Sequence, residues 1–482
     1  MSVPIVRLFL AIVVLFAILV AWTSRWSIFE ADDLRANTLD KRPLFAALQV
    51  KRGAIRAADG SVLARSVRVR TRSGRAIYER DYPTGELFGH PVGYANLLQG
   101  QLSGLERSRN KELSGTTSEL NSILDQLQGK RRAGNTVVTT LDPEAQQIAT
   151  DALAGQKGAV VAIEPSTGAV KTMVSSPGYD PNIVRDQAAL RELNLDDENA
   201  PLLDRVTQGA YPPGSTFKVV TAAAALDSGE FTPDSTLDGR SGRVVSGVPL
   251  RNDFDENFDS PSLSTALTLS INTAFAQLGE ELGKETMGDY MERFGFYRLP
   301  PLDYPDEQMI RSGERVDGRL VPVTSPAVDV GRMAIGQDKL LVTPLQMAMV
   351  TAAIANGGSL MEPRLTDKIV DPDGRTVDEV EPKEWSRPIS EQTASELTQM
   401  MGNVVDEGTG TAVQLPGIDV AGKTGTAEKN IEQRINQPWF IAFAPKDDPR
   451  IAIAVTVESS VAGFGGTVAA PIARDVLASL LD

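Results

Sequence analysis

An apolar run near the N-terminus, Leu8 to Trp22, limits most strongly how this chain can fold, because it contains no charged side chain. Its fifteen residues are short for a membrane span and close to the length of a signal peptide. The longer segment from Val3 to Trp26 can cross a bilayer if Arg7 reaches the headgroups, and its two tryptophans suit a membrane interface. No clear small-residue cleavage site follows, and a buried core helix fits poorly beside the polar chain that comes next. We therefore predict an uncleaved single-pass anchor in the cell membrane, with a short cytoplasmic tail and the bulk of the chain outside.

The composition removes several kinds of chemistry. There is no cysteine and a single histidine, His90, in a turn-like setting where we expect a structural or surface role. Disulfides, thiolate nucleophiles and His/Cys zinc sites are thus ruled out, and a Ser-His-Asp triad is not expected. The formal charge of −15, with no block of Lys and Arg suited to phosphates, argues against a nucleic-acid partner. Any nucleophile must be activated by Lys, Asp, Glu or a metal held by oxygens.

The length of 482 residues is too great for one ordinary core, so we expect two or three domains. We predict a cytoplasmic tail and transmembrane anchor over residues 1–28, a small accessory domain over 29–150 and a larger domain over 151–482. Apolar residues at helical spacing predict a helix over 117–127, and Asp142 before a proline predicts the start of another.

Two strand–turn–strand patterns lie at opposite ends of the larger part, over 158–174 and 439–457. The patterns between them are mostly helical, and the chain closes on a helical pattern over 469–481. This order predicts one mixed α/β domain, in which distant segments build a mainly antiparallel sheet and a helical subdomain is inserted.

The sequence YPPGSTFK, residues 211–218, places two prolines and a glycine directly before Ser215. These three residues cannot continue a regular helix, whereas the segment from Phe217 to Leu226 is apolar almost all round, as in a buried helix. We predict that Ser215 begins a helix entering the core and that Lys218 lies one turn later on the same face. An apolar pocket disfavours the charged ammonium, so Lys218 can become a neutral amine that accepts the serine proton.

The Ser-x-x-Lys spacing is weak evidence alone, because the chain repeats it at Ser108-Arg-Asn-Lys111 in a polar stretch. A capping serine with an incidental lysine would explain it equally well. Two further motifs favour a catalytic site: Ser270-Ile-Asn272 between helical patterns, and Lys423-Thr-Gly-Thr426 after a predicted strand over 418–421. The Lys-Thr-Gly pattern is the rarer of the two by chance.

Taken in order, these three motifs resemble those of penicillin-binding proteins and class A β-lactamases. The chain resembles a class B penicillin-binding protein, an anchored peptidoglycan D,D-transpeptidase, and its short N-terminal module resembles the actinobacterial penicillin-binding protein A type. The further segments that carry this likeness are RGAIRAADGSVLA at 52–64, Gly104-Leu-Glu106, Thr343-Pro-Leu-Gln-Met-Ala348 and Glu407-Gly-Thr-Gly410.

The resemblance implies a serine acyl-enzyme without a metal or other cofactor. Ser215 would attack the carbonyl between two terminal D-alanines of a stem peptide, with Lys218 as our proposed base. Ser270 would relay a proton to the leaving amine, and Asn272 would bond both Lys218 and the substrate amide. The positive charge of Lys423 would favour a neutral Lys218.

The same resemblance implies where the substrate is held. The backbone N–H groups of Ser215 and Thr426 would receive the developing oxyanion. The hydroxyls of Thr424 and Thr426 would bind the terminal carboxylate, with Gly425 between them in the substrate-binding segment.

Other functions stay open from the sequence. A β-lactamase or a D,D-carboxypeptidase would pass the acyl group to water, although no segment can be assigned to a deacylation base. A catalytically idle β-lactam sensor or a scaffold is the second alternative. For a transpeptidase, the family implies stem peptides and β-lactams as ligands, with a SEDS-type glycosyltransferase and other divisome or elongation proteins as partners.

Overall fold

The structure, a computed structural model, describes residues 3–25, 48–71, 74–115, 133–430 and 435–482. The helix predicted over 117–127 lies outside these residues. The N-terminal helix α1, Val3–Ser24, has no buried side chain, and its 22 residues span about 33 Å at 1.5 Å per residue. It is long and apolar enough to cross a bilayer.

The other elements of the described residues follow in chain order. The helices are α2 Gly89–Val92, α3 Gly104–Ser108, α4 Asn110–Leu113, α5 Pro143–Leu153, α6 Gln187–Leu195, α7 Lys218–Asp227, α8 Leu263–Thr268, α9 Asn272–Arg293, α10 Val330–Met333, α11 Pro344–Ala355, α12 Glu391–Asp406 and α13 Ala470–Leu481. The strands are β1 Ile55–Arg56, β2 Val62–Arg70, β3 Ala76–Asp81, β4 Ala95–Asn96, β5 Gln101–Leu102, β6 Thr136–Thr139, β7 Gly158–Ile163, β8 Val170–Ser176, β9 Arg243–Val245, β10 Val248–Leu250, β11 Gly313–Val316, β12 Arg319–Leu320, β13 Leu340–Leu341, β14 Leu360–Met361, β15 Thr366–Val370, β16 Thr376–Glu379, β17 Glu384–Ser386, β18 Ala421–Asn430, β19 Ile435–Ala444, β20 Ile451–Val457 and β21 Ser460–Val461.

An antiparallel sheet forms the centre of the larger part, with the strand order β18-β19-β20-β7-β8 and with β21 beside β19. Helix α11 packs on one face of this sheet, and helices α5 and α13 pack on the other. Alternate side chains of β19 therefore enter two different cores, as the period of two along a strand requires. Those on the α11 face are Trp439, Ile441 and Phe443, and those on the opposite face are Phe440, Ala442 and Ala444. The predicted mixed α/β fold with an antiparallel sheet is confirmed.

A second sheet joins the N-terminal strands to the larger part, in the order β16-β15-β6-β1-β2-β3. Strand β6 pairs in parallel with β1 and antiparallel with β15, so it lies between strands that are about 310 residues apart in the chain. The accessory strands and the strands of residues 366–379 therefore form one hydrogen-bonded unit.

Three local predictions change in the structure. Residues 418–420 are not a strand: β18 begins at Ala421, so the Lys423-Thr-Gly motif lies within a strand instead of after one. Ser215 lies in a short 3₁₀ turn, Gly214–Phe217, that starts at Gly214 with its left-handed φ of +54°, and the α-helix begins only at Lys218. His90 is buried, with 5% exposure, so of the two roles expected for it the surface one is wrong.

A buried ionic cluster holds the start of the accessory part together. Glu106 has no solvent exposure, and its carboxylate binds the guanidinium groups of Arg52, at 2.6 Å, and Arg80. Burial alone would raise the pKa of Glu106, but Arg80 and Arg52 outweigh it and hold the pKa below its usual value.

Replacement of Glu106 by Gln should lower the free energy of unfolding by about 3–5 kcal/mol, because two guanidinium groups would be left buried without a carboxylate. The matched control is Asp81→Asn, which removes the partner of the exposed Arg65 and should change it by less than about 1 kcal/mol. Thermal and denaturant unfolding would measure the free energy of unfolding of both variants. Equal losses of stability in the two variants would contradict the prediction.

Candidate active site

The turn that carries Ser215 lies directly against strand β18. The N–H of Gly214 donates to the C=O of Gly336 at 3.0 Å, and a Cβ at position 214 would lie only 2.7 Å from the backbone oxygen of Thr426. On the strand, a Cβ at Gly425 would lie 2.7 Å from the Thr216 side chain. Glycine on both surfaces lets the turn and the strand meet at backbone distance.

Lys218 has no solvent exposure and is held by the Ser270–Asn272 segment. Its Nζ donates to the backbone oxygen of Ser270 at 2.7 Å, to Ser270 Oγ at 3.2 Å and to Asn272 Oδ1 at 2.7 Å. Ser270 has a left-handed φ of +57° between helices α8 and α9. This backbone conformation turns the chain between the two helices, the second of which begins at Asn272. As a result, the Ser270 backbone oxygen, Ser270 Oγ and Asn272 Oδ1 all lie around the Lys218 amine.

Lys423 approaches the same serine from strand β18. It also has no solvent exposure, and its Nζ donates to Ser270 Oγ at 2.9 Å and to the backbone oxygen of Thr424 at 3.1 Å. The Ser270 hydroxyl is therefore in hydrogen-bond contact with both buried lysines. The structure brings all three motifs together, although they are about 50 and 150 residues apart in the chain.

The electrostatics of the site favour a neutral amine. Burial lowers the pKa of Lys218 well below its usual range, and the positive charge of Lys423 lowers it further. Burial lowers the pKa of Lys423 to about 7. The carboxylate of Asp253 acts in the opposite direction on both lysines, since it favours their charged forms.

Ser215 is half-buried, while Thr216, Phe217 and Lys218 after it have no solvent exposure. Among the residues that the structure describes, its hydroxyl has no hydrogen-bond partner, because the Lys218 amine is engaged by Ser270 and Asn272. The Ser215 hydroxyl therefore faces accessible space with a buried amine one turn away.

The residues assigned to substrate binding lie on β18, the strand at one end of the central sheet. Thr424 Oγ1 lies 2.6 Å from Thr409 Oγ1, so a hydroxyl pair stands beside the motif. Thr426 Oγ1 accepts a hydrogen bond of 3.2 Å from the N–H of Gly465. Both predicted threonines thus sit at the site, and each already has a partner from a neighbouring loop.

Several residues near the site lie outside the three sequence motifs. Phe254 is 84% exposed with a left-handed φ of +55°, and its ring lies 6.4 Å from that of Phe464, in the loop next to Gly465. Asp253, beside it, is the carboxylate that acts on both lysines. No sequence motif marks these positions; only a stretch as acidic and aromatic as Asn252-Asp-Phe-Asp-Glu256 could have drawn attention to them.

Tyr211, the first residue of the YPPGSTFK sequence, has a role that the sequence motifs do not predict. Its hydroxyl donates to Glu458 at 2.6 Å, and the buried Arg205 donates to the same carboxylate oxygen at 2.7 Å. Its backbone exchanges two hydrogen bonds with Val342. Tyr211 therefore fastens the chain just before the serine turn to the end of strand β20.

The second Ser-x-x-Lys spacing does not form a comparable site. Ser108 and Lys111 are exposed, and Ser108 Oγ donates to the backbone oxygen of Asp303 at 2.9 Å. The two residues belong to separate short helices, α3 and α4. The apolar context, and not the spacing, distinguishes Ser215.

The sequence pattern of the penicillin binding protein transpeptidase domain matches residues 158–478, and that of the penicillin binding protein A dimerisation domain matches residues 52–137. The chain belongs to the penicillin-binding protein transpeptidase family. Within that family it is similar to the peptidoglycan D,D-transpeptidase PbpA of Mycolicibacterium smegmatis, with 36% identity over 98% of each chain. It is 34% identical to PbpA of Mycobacterium tuberculosis, again over 98% of each chain.

Solved structures give the same relationship. Penicillin-binding protein A from M. tuberculosis, as a ceftriaxone acyl-enzyme complex, has a TM-score of 0.81 and 34% identity, covering 91% of this chain and 100% of that one. A D,D-transpeptidase domain from Eggerthella lenta has a TM-score of 0.77 and 35% identity, covering 90% of this chain and 98% of that one. The family resemblance seen in the sequence is confirmed.

Asp253→Asn should move the acidic limb of the pH profile of β-lactam acylation to lower pH. The Asp253 carboxylate raises the pKa of both lysines, so its removal lowers those pKa values and leaves more neutral Lys218 at a given pH. Acylation rates with a fluorescent penicillin, measured across pH, would test this. Asp255→Asn, in the same exposed loop, is the control and should leave the limb in place; an upward shift in Asp253→Asn would contradict the expectation.

Proposed function

We propose that this protein is a membrane-anchored peptidoglycan D,D-transpeptidase that cross-links stem peptides through an acyl-enzyme on Ser215, the residue that β-lactams would acylate. One observation carries the proposal: two buried lysines, Lys218 and Lys423, share the hydroxyl of Ser270 beside a serine turn that is open to solvent. Membership of the penicillin-binding protein family supports the same chemistry.

In the first half-reaction, Ser215 Oγ attacks the carbonyl carbon between the two D-alanines, and the neutral amine of Lys218 takes the serine proton. The backbone N–H groups of Ser215 and Thr426 stabilise the negative oxygen of the tetrahedral intermediate. The C–N bond then breaks. The departing amine of D-alanine takes its proton from Lys218 through Ser270, whose Oγ lies 3.2 Å from that lysine.

The other motif residues position this chemistry. Asn272 Oδ1 holds the Lys218 amine at 2.7 Å, and its amide group is suited to the substrate backbone. Lys423 keeps Ser270 in place and favours the neutral state of Lys218. The hydroxyls of Thr424 and Thr426 bind the terminal carboxylate of the donor, and Gly425 keeps this edge of β18 free of a side chain.

In the second half-reaction, an amine of a neighbouring stem peptide attacks the ester carbonyl, the Ser215 oxygen leaves and regains a proton, and an amide cross-link forms. Hydrolysis of the same ester would make the protein a β-lactamase or carboxypeptidase. The lifetime of the penicilloyl adduct separates a transpeptidase, which should retain the adduct, from a β-lactamase, which should release it rapidly. Release of free D-alanine from a stem peptide without cross-link formation would indicate a carboxypeptidase.

We also propose the setting in which the enzyme works. The tail before helix α1 lies in the cytoplasm and the catalytic domain outside, next to its substrate. The matched regions are a dimerisation and a transpeptidase domain, so we expect the glycan to come from a SEDS-type glycosyltransferase partner within the division or elongation machinery.

Ser215→Ala should abolish covalent labelling by penicillin, since the other hydroxyl of the serine turn, that of Thr216, is buried and donates to the backbone oxygen of Pro213 at 2.8 Å. Ser108→Ala, at the second Ser-x-x-Lys, is the matched control and should label as the parent does. Intact-protein and peptide mass spectrometry would detect and locate the adduct. Persistent labelling of Ser215→Ala would overturn the assignment of the nucleophile.

Lys218→Arg should also fail to acylate, because the guanidinium keeps its charge and cannot accept the serine proton. We expect a loss on the order of 100-fold or more in acylation rate, the usual range for removal of a general base. Lys111→Arg is the control. Melting temperatures of both variants would show that they fold, and a folded Lys218→Arg protein that acylates at the parental rate would mean that another base operates.

A further inference from the structure

The hairpin formed by strands β2 and β3 concentrates positive charge in an acidic protein. Residues 65–81 contain six arginines and two carboxylates, in a chain with a formal charge of −15. The arginines are separated by one or more other residues, so they form no continuous block in the sequence. A hairpin brings them together in space, which is why the feature becomes clear only in the structure.

Five of the six arginines lie in the described part of the chain, which omits Arg72, and two of these five are used within the fold. Arg80 is buried and binds Glu106, and Arg65 pairs with Asp81 at 2.8 Å across the hairpin. Arg68, Arg70 and Arg75 are exposed, and none of these three forms an ion pair with any residue in the described part of the chain. These three unpaired arginines lie toward the turn of the hairpin, which we call the hairpin tip, residues 68–71 and 74–77.

The hairpin tip is also partly apolar. Val69 pairs with Ile77 across the two strands, and both are half-buried. Val67, on the same face of β2, is 38% exposed. Arg68 and Arg70 alternate with these valines and therefore lie on the opposite face of β2. The hairpin tip thus presents cations and accessible aliphatic groups on its two faces, and both kinds of group suit the headgroup region of a bilayer, where phosphates lie next to acyl chains.

The described part of the chain resumes after the membrane helix directly beside this hairpin. The first residue described after α1 and its last turn is Leu48, whose backbone oxygen accepts a hydrogen bond of 2.8 Å from the N–H of Tyr78 in β3. The 22 residues between 25 and 48 can span at most about 80 Å when fully extended. The hairpin is therefore held near a lipid surface at high effective concentration, so even weak attraction is sufficient for contact.

We propose that the hairpin tip docks on anionic phospholipid headgroups of the membrane in which α1 is inserted, and so orients the catalytic body. A second copy of this chain fits the tip less well, because a two-fold contact centred on it would place arginines against arginines. Charged side chains can also keep an edge strand such as β3 from pairing with another chain, but that role would not require all of the charges to be positive. The proposal is independent of the transpeptidase activity.

The absence of cysteine from the sequence allows a site-specific test on the full-length chain. Ala76→Cys in the hairpin tip is labelled with a donor dye, and the protein is placed in nanodiscs that contain a headgroup-linked acceptor. The discs are made of phosphatidylglycerol or of phosphatidylcholine. The control label is Val248→Cys, an exposed position on the β9–β10 hairpin of the helical subdomain.

Energy transfer from position 76 should be higher in phosphatidylglycerol discs than in phosphatidylcholine discs, and high salt should remove the difference. Transfer from position 248 should show no such increase. Combined Arg68→Gln, Arg70→Gln and Arg75→Gln should reduce the ratio of docked to undocked protein on the order of 100-fold, from about fivefold for each arginine. Unchanged penicillin labelling of this variant would show that the catalytic domain is intact.

Equal transfer in the two lipids, or transfer that survives loss of the three arginines, would overturn the proposal. If energy transfer depends on a second labelled chain in the same disc and does not depend on lipid charge, the hairpin tip mediates self-association. That result would also overturn the proposal. A third outcome is possible, in which energy transfer depends on lipid charge and on the three arginines, but neither the parent nor the variant is labelled by penicillin. That outcome would support docking and would reject the proposed function.

Discussion

Two lysine amines without solvent exposure share one serine hydroxyl, and this contact determines which protonation states the site can have. Lys218 and Lys423 both donate toward Ser270 Oγ. Two ammonium ions in such a place would repel each other and would lack the water that stabilises charge, so at least one amine must be neutral. A neutral lysine is a proton acceptor. The burial that positions the lysines therefore also favours the neutral amine that we propose as the base, in a chain whose single histidine lies elsewhere.

The lysines can share a serine only because three distant segments meet at backbone distance. Strand β18 must pair with β19 on one side and still receive the serine turn, which excludes a side chain at Gly214 and at Gly425. Gly336, with a φ of +76°, closes over the same turn, and a Cβ there would lie 1.9 Å from the Gly214 oxygen. The precision of the site therefore depends on glycines in three separate elements. Larger residues at these positions would separate Ser215, the proposed nucleophile, from β18, the strand that we propose to bind the substrate.

The sequence predicts those parts of the structure that depend on neighbouring residues. The apolar segment after Phe217 correctly indicates a buried helix, and the patterns at 158–174 and 439–457 correctly indicate antiparallel strands. The left-handed turn at Gly214 was missed, because two prolines and a glycine break a helix without fixing what replaces it. The effect of Asp253 on the lysines, and the pairing of Phe254 with Phe464, arise from contacts across the fold that no local pattern encodes. The Arg-rich hairpin is not evident from the sequence, because its arginines alternate with other residues and come together only when the strands pair.

The second sheet connects the membrane side of the molecule to the site. Strands β2 and β3 carry the hairpin tip, and through β1 and β6 they are hydrogen-bonded to β15 of the larger part. Arg364, just before β15, exchanges backbone hydrogen bonds with Gly168 and Val170 at the start of β8, an outer strand of the central sheet. A contact made by the hairpin tip is therefore transmitted through continuous backbone pairing to the catalytic domain. The wall polymer is fixed in orientation, so the enzyme must itself lose rotational freedom before Ser215 can reach a stem peptide. A second point of attachment to the membrane, besides the anchor, would reduce the rotational freedom that remains to be lost.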